Sequence, residues 1–262
     1  MTINKEKPDG AFSTLYIRSF KIDEDIPPEE YYAKLPVIQH IQKSGGFTFT
    51  KPITIFVGEN GIGKSSVIEA LAINAGFNPE GGTLNFSFST KDSHSSLYEY
   101  LRISRGIRKN TDGFFLRAES FYNAATFLDE TQEIEKRYGR GRNVYLSFGG
   151  KSLHNQSHGE SFLALAVHRF SGKGLFILDE PEAALSPMGQ LKLIRVLHEN
   201  AKAGAQFIIS THSPILITTP GADVVQFDED GLQHLPYKET EHFKIATEFL
   251  SNPERMLKIL LE

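Results

Sequence analysis

The chain of 262 residues contains no cysteine. That absence excludes a disulfide framework, cysteine-ligated zinc, iron–sulfur clusters and thiol catalysis, and it suits a reducing compartment. Long apolar runs are missing too. Stretches such as Leu175-Phe176-Ile177-Leu178 fall far short of the ~18 residues needed to cross a bilayer. Residues 1–10 carry Lys, Glu, Asp and Pro where a secretory leader needs an apolar segment. A soluble, cytoplasmic protein with no direct membrane insertion is expected. Neither charge dominates: 28 Lys+Arg against 32 Asp+Glu leave a net charge of -4, which argues against a wholly basic nucleic-acid coat. No internal repeat, heptad array or Pro-rich linker divides the chain. With 40% hydrophobic residues it can bury a core, and its length fits a single domain over 1–262.

What is present alternates between strand and helix. Residues 12–22 and 46–57 read as strands, separated by an acidic, Pro-containing loop from Asp23 to Glu30. A Gly-rich turn follows, then a helical pattern with Val67, Ile68, Leu71, Ala72 and Ala75 on one side, closed by Gly76. Leu84, Phe86 and Phe88 alternate with polar residues as in a half-buried strand, and residues 95–104 fit strand or helix equally. Phe114–Ala118 reads as a buried strand and Thr131–Tyr138 as a polar helix. The last third is clearer: helix 159–170, strand 175–179, helix 187–203, strands 206–210 and 223–227, and a C-terminal helix opened by Asn252-Pro253. This order predicts an α/β fold with a mostly parallel sheet flanked by helices.

Three polar groups fall at the ends of predicted strands. Gly58-Glu59-Asn60-Gly61-Ile62-Gly63-Lys64-Ser65 matches the phosphate-loop pattern G-x-x-x-x-G-K-[ST], between a strand and a helix as the pattern requires. Its glycines let successive backbone N–H groups face phosphate oxygens at a helix N-terminus. Lys64 would reach the β- and γ-phosphates, Ser65 would offer its hydroxyl to Mg2+, and Ser66 continues the cradle. Asp179 and Glu180 end the apolar strand 175–179. Beside a phosphate loop they suit a metal-side acid and a general base, respectively. His212 ends the strand Gln206–Ser210, at the edge where ligands of open α/β sheets gather.

Together these residues resemble the motifs of ABC-type ATPases. Ser157-His158-Gly159-Glu160-Ser161 is similar to the signature motif, Glu182-Ala183-Ala184-Leu185-Ser186 to the D-loop, and His212 to the switch histidine. Within that superfamily the chain is most similar to the small soluble "AAA family ATPase" proteins, a predicted-ATPase subgroup related to the Rad50/SMC/RecF/OLD-type heads. The stretches Phe114–Phe121 and Ser152–Glu160 carry that likeness. The resemblance implies a P-loop fold with an N-terminal antiparallel β part, an inserted helical signature subdomain at 77–170, and a C-terminal helical tail at 232–262. It further implies ATP and Mg2+ as cofactors, with Ser65, Asp179 and Glu119 on the metal side, Glu119 standing at the Q-loop position. Catalysis would fall to Glu180, His212 and Lys64. Ser157, Gly159 and Glu160 would complete the γ-phosphate site of a second subunit, giving a homodimer on ATP binding.

Four departures from the family pattern stand out: Gln156 for Leu, His158 for a small residue, Glu119 for Gln, and Ser186 for Asp. They suit a soluble switch acting on a separate effector protein, in nucleic-acid maintenance or phage defence, better than a transporter subunit. The 92 residues from Ser65 to Ser157 leave no room for a long coiled coil. A transporter's nucleotide-binding subunit and a non-hydrolysing nucleotide module remain the alternatives. Two basic clusters, Arg102/Arg105/Arg108/Lys109 and Lys136/Arg137/Arg140/Arg142, read as a solvated face or as nucleic-acid contacts. Tyr16, Tyr31 and Tyr32 are equal candidates for the adenine contact.

Overall fold

The computed structural model describes residues 14–84, 95–117, 158–170 and 172–262, together with Gln132 and Arg137. Strands β1 (Ile17–Ile22), β2 (Phe47–Thr48) and β5 (Leu101–Arg105) form a small antiparallel sheet in the order β2-β1-β5. The main sheet holds β3 (Ile53–Gly58), β4 (Gly82–Thr83), β6 (Gly113–Arg117), β7 (Leu175–Asp179), β8 (Gln206–Ser210), β9 (Asp223–Asp228) and β10 (Gly231–His234). Its order is β10-β9-β3-β8-β7-β6-β4. The five inner strands run parallel, and β10 and β4 run antiparallel at the two edges.

The inner strands are buried on both faces because each side chain row meets a different layer. Phe56, Phe115, Ile177 and Ile208 face a cluster built with α1 (Pro36–Ser44), α2 (Lys64–Ala75) and the small sheet. Ile55, Val57, Phe114, Phe176, Phe207 and Ile209 face the opposite cluster. That cluster includes Phe162 and Ala166 of α3 (His158–Arg169) and Leu193 and Leu197 of α4 (Pro187–Ala203). Phe207 has no exposed surface and stands 5.2 Å from the Phe176 ring and 5.7 Å from the Phe170 ring. Phe207→Ala is expected to cost about 3–5 kcal/mol, read as a lower denaturant midpoint at unchanged slope.

The two sheets are tied at the end of β8. The Gln206 amide accepts from the backbone N–H groups of Tyr16 (2.8 Å) and Ile17 (2.9 Å), and donates to the Ile17 carbonyl (2.9 Å).

The parallel strands and the helices at 64–75, 158–169 and 187–203 lie where the sequence places them. Elsewhere the structure differs. The first strand starts at Ile17 rather than residue 12. The run 46–57 is broken before Ile53, because Pro52 has no N–H to give a ladder, and its halves join different sheets. Residues 95–104 divide into a short 3-10 turn, Ser96–Glu99, and strand β5. Within 77–170, where 85–94 and most of 118–157 lie outside the described residues, β4, β5 and β6 precede α3, and Phe114 and Phe115 of β6 fill opposite faces of the sheet. The tail 232–262 holds two helices, α5 (Glu241–Ser251) and, opened by Asn252-Pro253, α6 (Pro253–Leu261). Phe86, Phe88 and most of 131–138 lie outside the described residues.

Candidate active site

The carboxyl ends of β3, β7 and β8 converge. Phe56 and Asp179 both stand opposite Ser210 in the ladder. Gly58 ends β3 at φ 149°, and a Cβ there would lie 2.3 Å from the Phe227 carbonyl oxygen, so only glycine fits. Gly63, at φ 110°, caps α2 and turns the loop into the helix. Lys64 is only 4% exposed. Its ammonium donates to the carbonyls of Gly58 and Glu59, each at 2.7 Å, and burial lowers its pKa to about 8.

Ser65 and Asp179 meet across 3.3 Å, the hydroxyl donating to Oδ1 of the carboxylate. Ser210 also donates to that oxygen. Burial pushes the Asp179 carboxyl above the usual range; the hydrogen bond from Ser210 opposes this, while Glu180 adds to it. A hydroxyl and a carboxylate at this separation fit the sparse protein ligation that Mg2+ takes beside a triphosphate. Arg117, at the end of β6, holds Glu69 of α2 at 2.7 Å and pulls Asp179 down from a distance.

Glu180 has φ 49° and ψ 53°, the sole non-glycine with positive φ among the described residues. Such a conformation costs of order 1–3 kcal/mol, and it turns the carboxylate out of the strand toward His212, whose Nε2 lies 3.6 Å from Glu180 Oε1. The His212 backbone N–H donates to Oε1 of Glu182 at 2.6 Å. Burial raises the Glu182 carboxyl; hydrogen bonds from Thr211 and His212 restrain it. His212 Nδ1 lies 3.3 Å from Nε2 of His242 on α5. Tyr31, 58% exposed, places its hydroxyl 3.2 Å from Ser66 Oγ, whereas Tyr16 and Tyr32 are buried.

The sequence-marked residues Gly58 to Ser66, Asp179, Glu180 and His212 are thus brought to one edge. Gly159 and Glu160 fall in the first turn of α3, and Glu119 and Ser157 lie outside the described residues. Ser186, expected as the end of a D-loop, caps α4 by accepting from the Gly189 N–H. Glu182, Ser210 and His242 were missed as site residues. Ser210 adjoins the marked pair Thr211-His212, but His242 has no local signal. Of the first basic cluster, Arg102 pairs with Asp23 at 2.8 Å and Arg105 donates to the Asn74 carbonyl, as side chains of a solvated face do. Lys136, Arg140 and Arg142 lie outside the described residues.

The chain is similar to several known proteins. Residues 91–218 match a family model described as "AAA domain, putative AbiEii toxin, Type IV TA system". A "Putative ABC transporter ATP-binding protein" of Pyrococcus horikoshii is 28% identical over 251 residues, covering 84% of this chain and 93% of the relative. The "Energy-coupling factor transporter ATP-binding protein EcfA" of Methanocaldococcus jannaschii is 25% identical, covering 90% and 88%.

The fold is that of an ABC-type ATPase.

Among solved structures, the chain is similar to an ATP-binding cassette of an ABC transporter in its ADP conformation. That match has 13% identity, a TM-score of 0.47 and coverage of 94% and 99%. It is also similar to an Smc head bound to the C-winged helix domain of ScpA, with 12% identity, a TM-score of 0.47 and coverage of 84% and 97%. Among the described residues, no helix is long and apolar enough to cross a membrane.

Proposed function

We propose that the chain binds and hydrolyses ATP as the nucleotide-binding subunit of a membrane transporter, and that it does so as a head-to-tail dimer. The observation that carries hydrolysis is the convergence of Lys64, Ser65, Asp179, Glu180 and His212 at one sheet edge. The transporter assignment is supported by the relatives named above, which are named as transporter ATP-binding proteins along most of their length. That support outweighs the four departures from the family pattern that favoured a soluble effector switch.

Mg2+ would be held by Ser65 and, directly or through water, by Asp179, and it supplies neutralising charge at the β- and γ-phosphates. Lys64 exchanges its two loop carbonyls for phosphate oxygens. Glu180 takes a proton from the attacking water, and His212 donates Nε2–H toward the γ-phosphate. One copy leaves the γ-phosphate open on the side away from its own loop. The N-terminal turn of α3 from a second copy, with Ser157, Gly159 and Glu160, would close it.

Tyr31 would lie against the base or ribose. Tyr31→Ala is expected to raise KM for ATP about tenfold with kcat nearly unchanged, consistent with the ~1–3 kcal/mol of base–aromatic stacking. An unchanged KM would remove Tyr31 from the site.

A second reading keeps the same chemistry but couples it to a soluble effector, as the family description "putative AbiEii toxin, Type IV TA system" favours. Affinity purification from detergent-solubilised cells, with and without ATP, separates the two. Recovery of a polytopic membrane protein supports the transporter reading, and recovery of a soluble partner overturns it. Multiple-turnover phosphate release in Mg2+ against EDTA tests hydrolysis itself.

A further inference from the structure

Residue 242 stands far along the chain from every motif, yet its ring reaches the site. The α5 helix that carries it is anchored at its start. Thr240 is fully buried and donates its hydroxyl to the Tyr237 carbonyl at 2.6 Å, and Phe243 packs with Tyr237 against the core cluster shared by α3 and α4. This anchoring sets the His242 ring 5.4 Å from the His212 ring, with Nε2 facing Nδ1 at 3.3 Å.

Only one of two facing ring nitrogens can carry the shared proton. The Glu180 carboxylate, 3.6 Å from His212 Nε2, decides which. A bare Nε2 lone pair would confront that carboxylate, whereas Nε2–H is attracted to it. His212 is therefore protonated at Nε2, its Nδ1 is the acceptor, and His242 donates from Nε2. Its own Nδ1 is then left bare; that atom and His212 Nε2 are both buried without a hydrogen-bond partner, and the open Nε2–H is the one a γ-phosphate would take up. Burial holds both rings below the ordinary histidine range, which keeps them neutral near pH 7.

We infer that His242 is a positioning residue: its Nε2–H fixes His212 in the Nε2–H tautomer that can donate to a γ-phosphate, and thereby joins helix α5 to the hydrolytic step. This rests on the hydrolytic reading of the site. A partner that displaced α5 would release the tautomer without touching the nucleotide.

The test uses His242→Phe and His242→Gln. Phe keeps a ring and removes the donor; Gln keeps an N–H donor at nearly the position of Nε2. In the nucleotide-free wild-type chain, nitrogen-15 long-range correlation spectra should give His212 as the Nε2–H tautomer, and His242→Phe should shift it to a mixture. With ATP, kcat should fall on the order of tenfold to a hundredfold in His242→Phe, KM should stay unchanged, and His242→Gln should recover most of the loss. Equal losses in both variants, or a His212 tautomer that ignores His242→Phe, overturn the assignment. Absence of phosphate release from the wild type would instead defeat the hydrolytic reading, and the tautomer spectra would still decide the role of His242.

Discussion

Glu180→Gln is expected to slow multiple-turnover phosphate release at least a hundredfold, in line with the 10²–10⁴ that a positioned general base contributes. The substitution keeps the volume and the polar contact to His212 while removing the basic oxygen pair. Neither Lys64 nor Ser65 changes, so Mg2+ and ATP should still bind. With hydrolysis blocked, the ATP-bound state accumulates, and small-angle scattering of the variant saturated with Mg2+ and ATP should report a dimeric mass. A wild-type rate would remove Glu180 from the base position. A monomeric mass under those conditions would remove the sandwiched dimer. The two readouts are independent, so chemistry and assembly are judged separately.

Lys64→Met should abolish the nucleotide response and leave the fold sturdier. The Lys64 ammonium is almost wholly buried, and burial drops its pKa from 10.5 to about 8. Because the folded chain holds this proton less tightly than the unfolded chain, ionised Lys64 costs roughly 3 kcal/mol of stability below pH 8. That cost fades as pH rises from about 8 to 10.5, where the folded chain carries a neutral amine. Met removes the penalty but leaves the Gly58 and Glu59 carbonyls without their donor, so a net gain of about 1 kcal/mol is expected near neutral pH. Thermal melts should place the variant above the parent at pH 7, with the two curves crossing between pH 8 and 10.5 and the parent above at the alkaline end. Added Mg2+ and ATP should raise the melting temperature of the parent alone. A variant less stable than the parent at pH 7, or one still stabilised by ATP, contradicts the argument.

Much of this was legible in the sequence wherever a local signal carried the information. Phe176, Ile177 and Leu178 form an uninterrupted apolar run because β7 is covered on both faces, and such a run bounded by acids reads directly as a parallel strand. The phosphate loop is legible because its glycines are required at fixed spacing; Gly58 and Gly63 occupy backbone conformations closed to other residues. What failed to show depends on return of the chain from far away. Phe47 and Ile53 look like parts of one strand until Pro52 is weighed, and nothing near Leu101 says that β5 pairs with β1. Glu182 reads as a turn residue, although its carboxylate holds the His212 backbone from 30 positions upstream. His242 is an ordinary polar residue on an amphipathic helix until Phe243 seats that helix on the core.

Among the described residues, the short reversed strands β4 and β10 bound the parallel sheet on both sides. Two to four residues of opposed backbone offer a neighbouring molecule little ladder to extend, and α1 packs beside β10. Self-association by growing one continuous sheet is thereby discouraged at both margins. The proposed dimer would instead meet across the carboxyl rim, with a triphosphate as the glue.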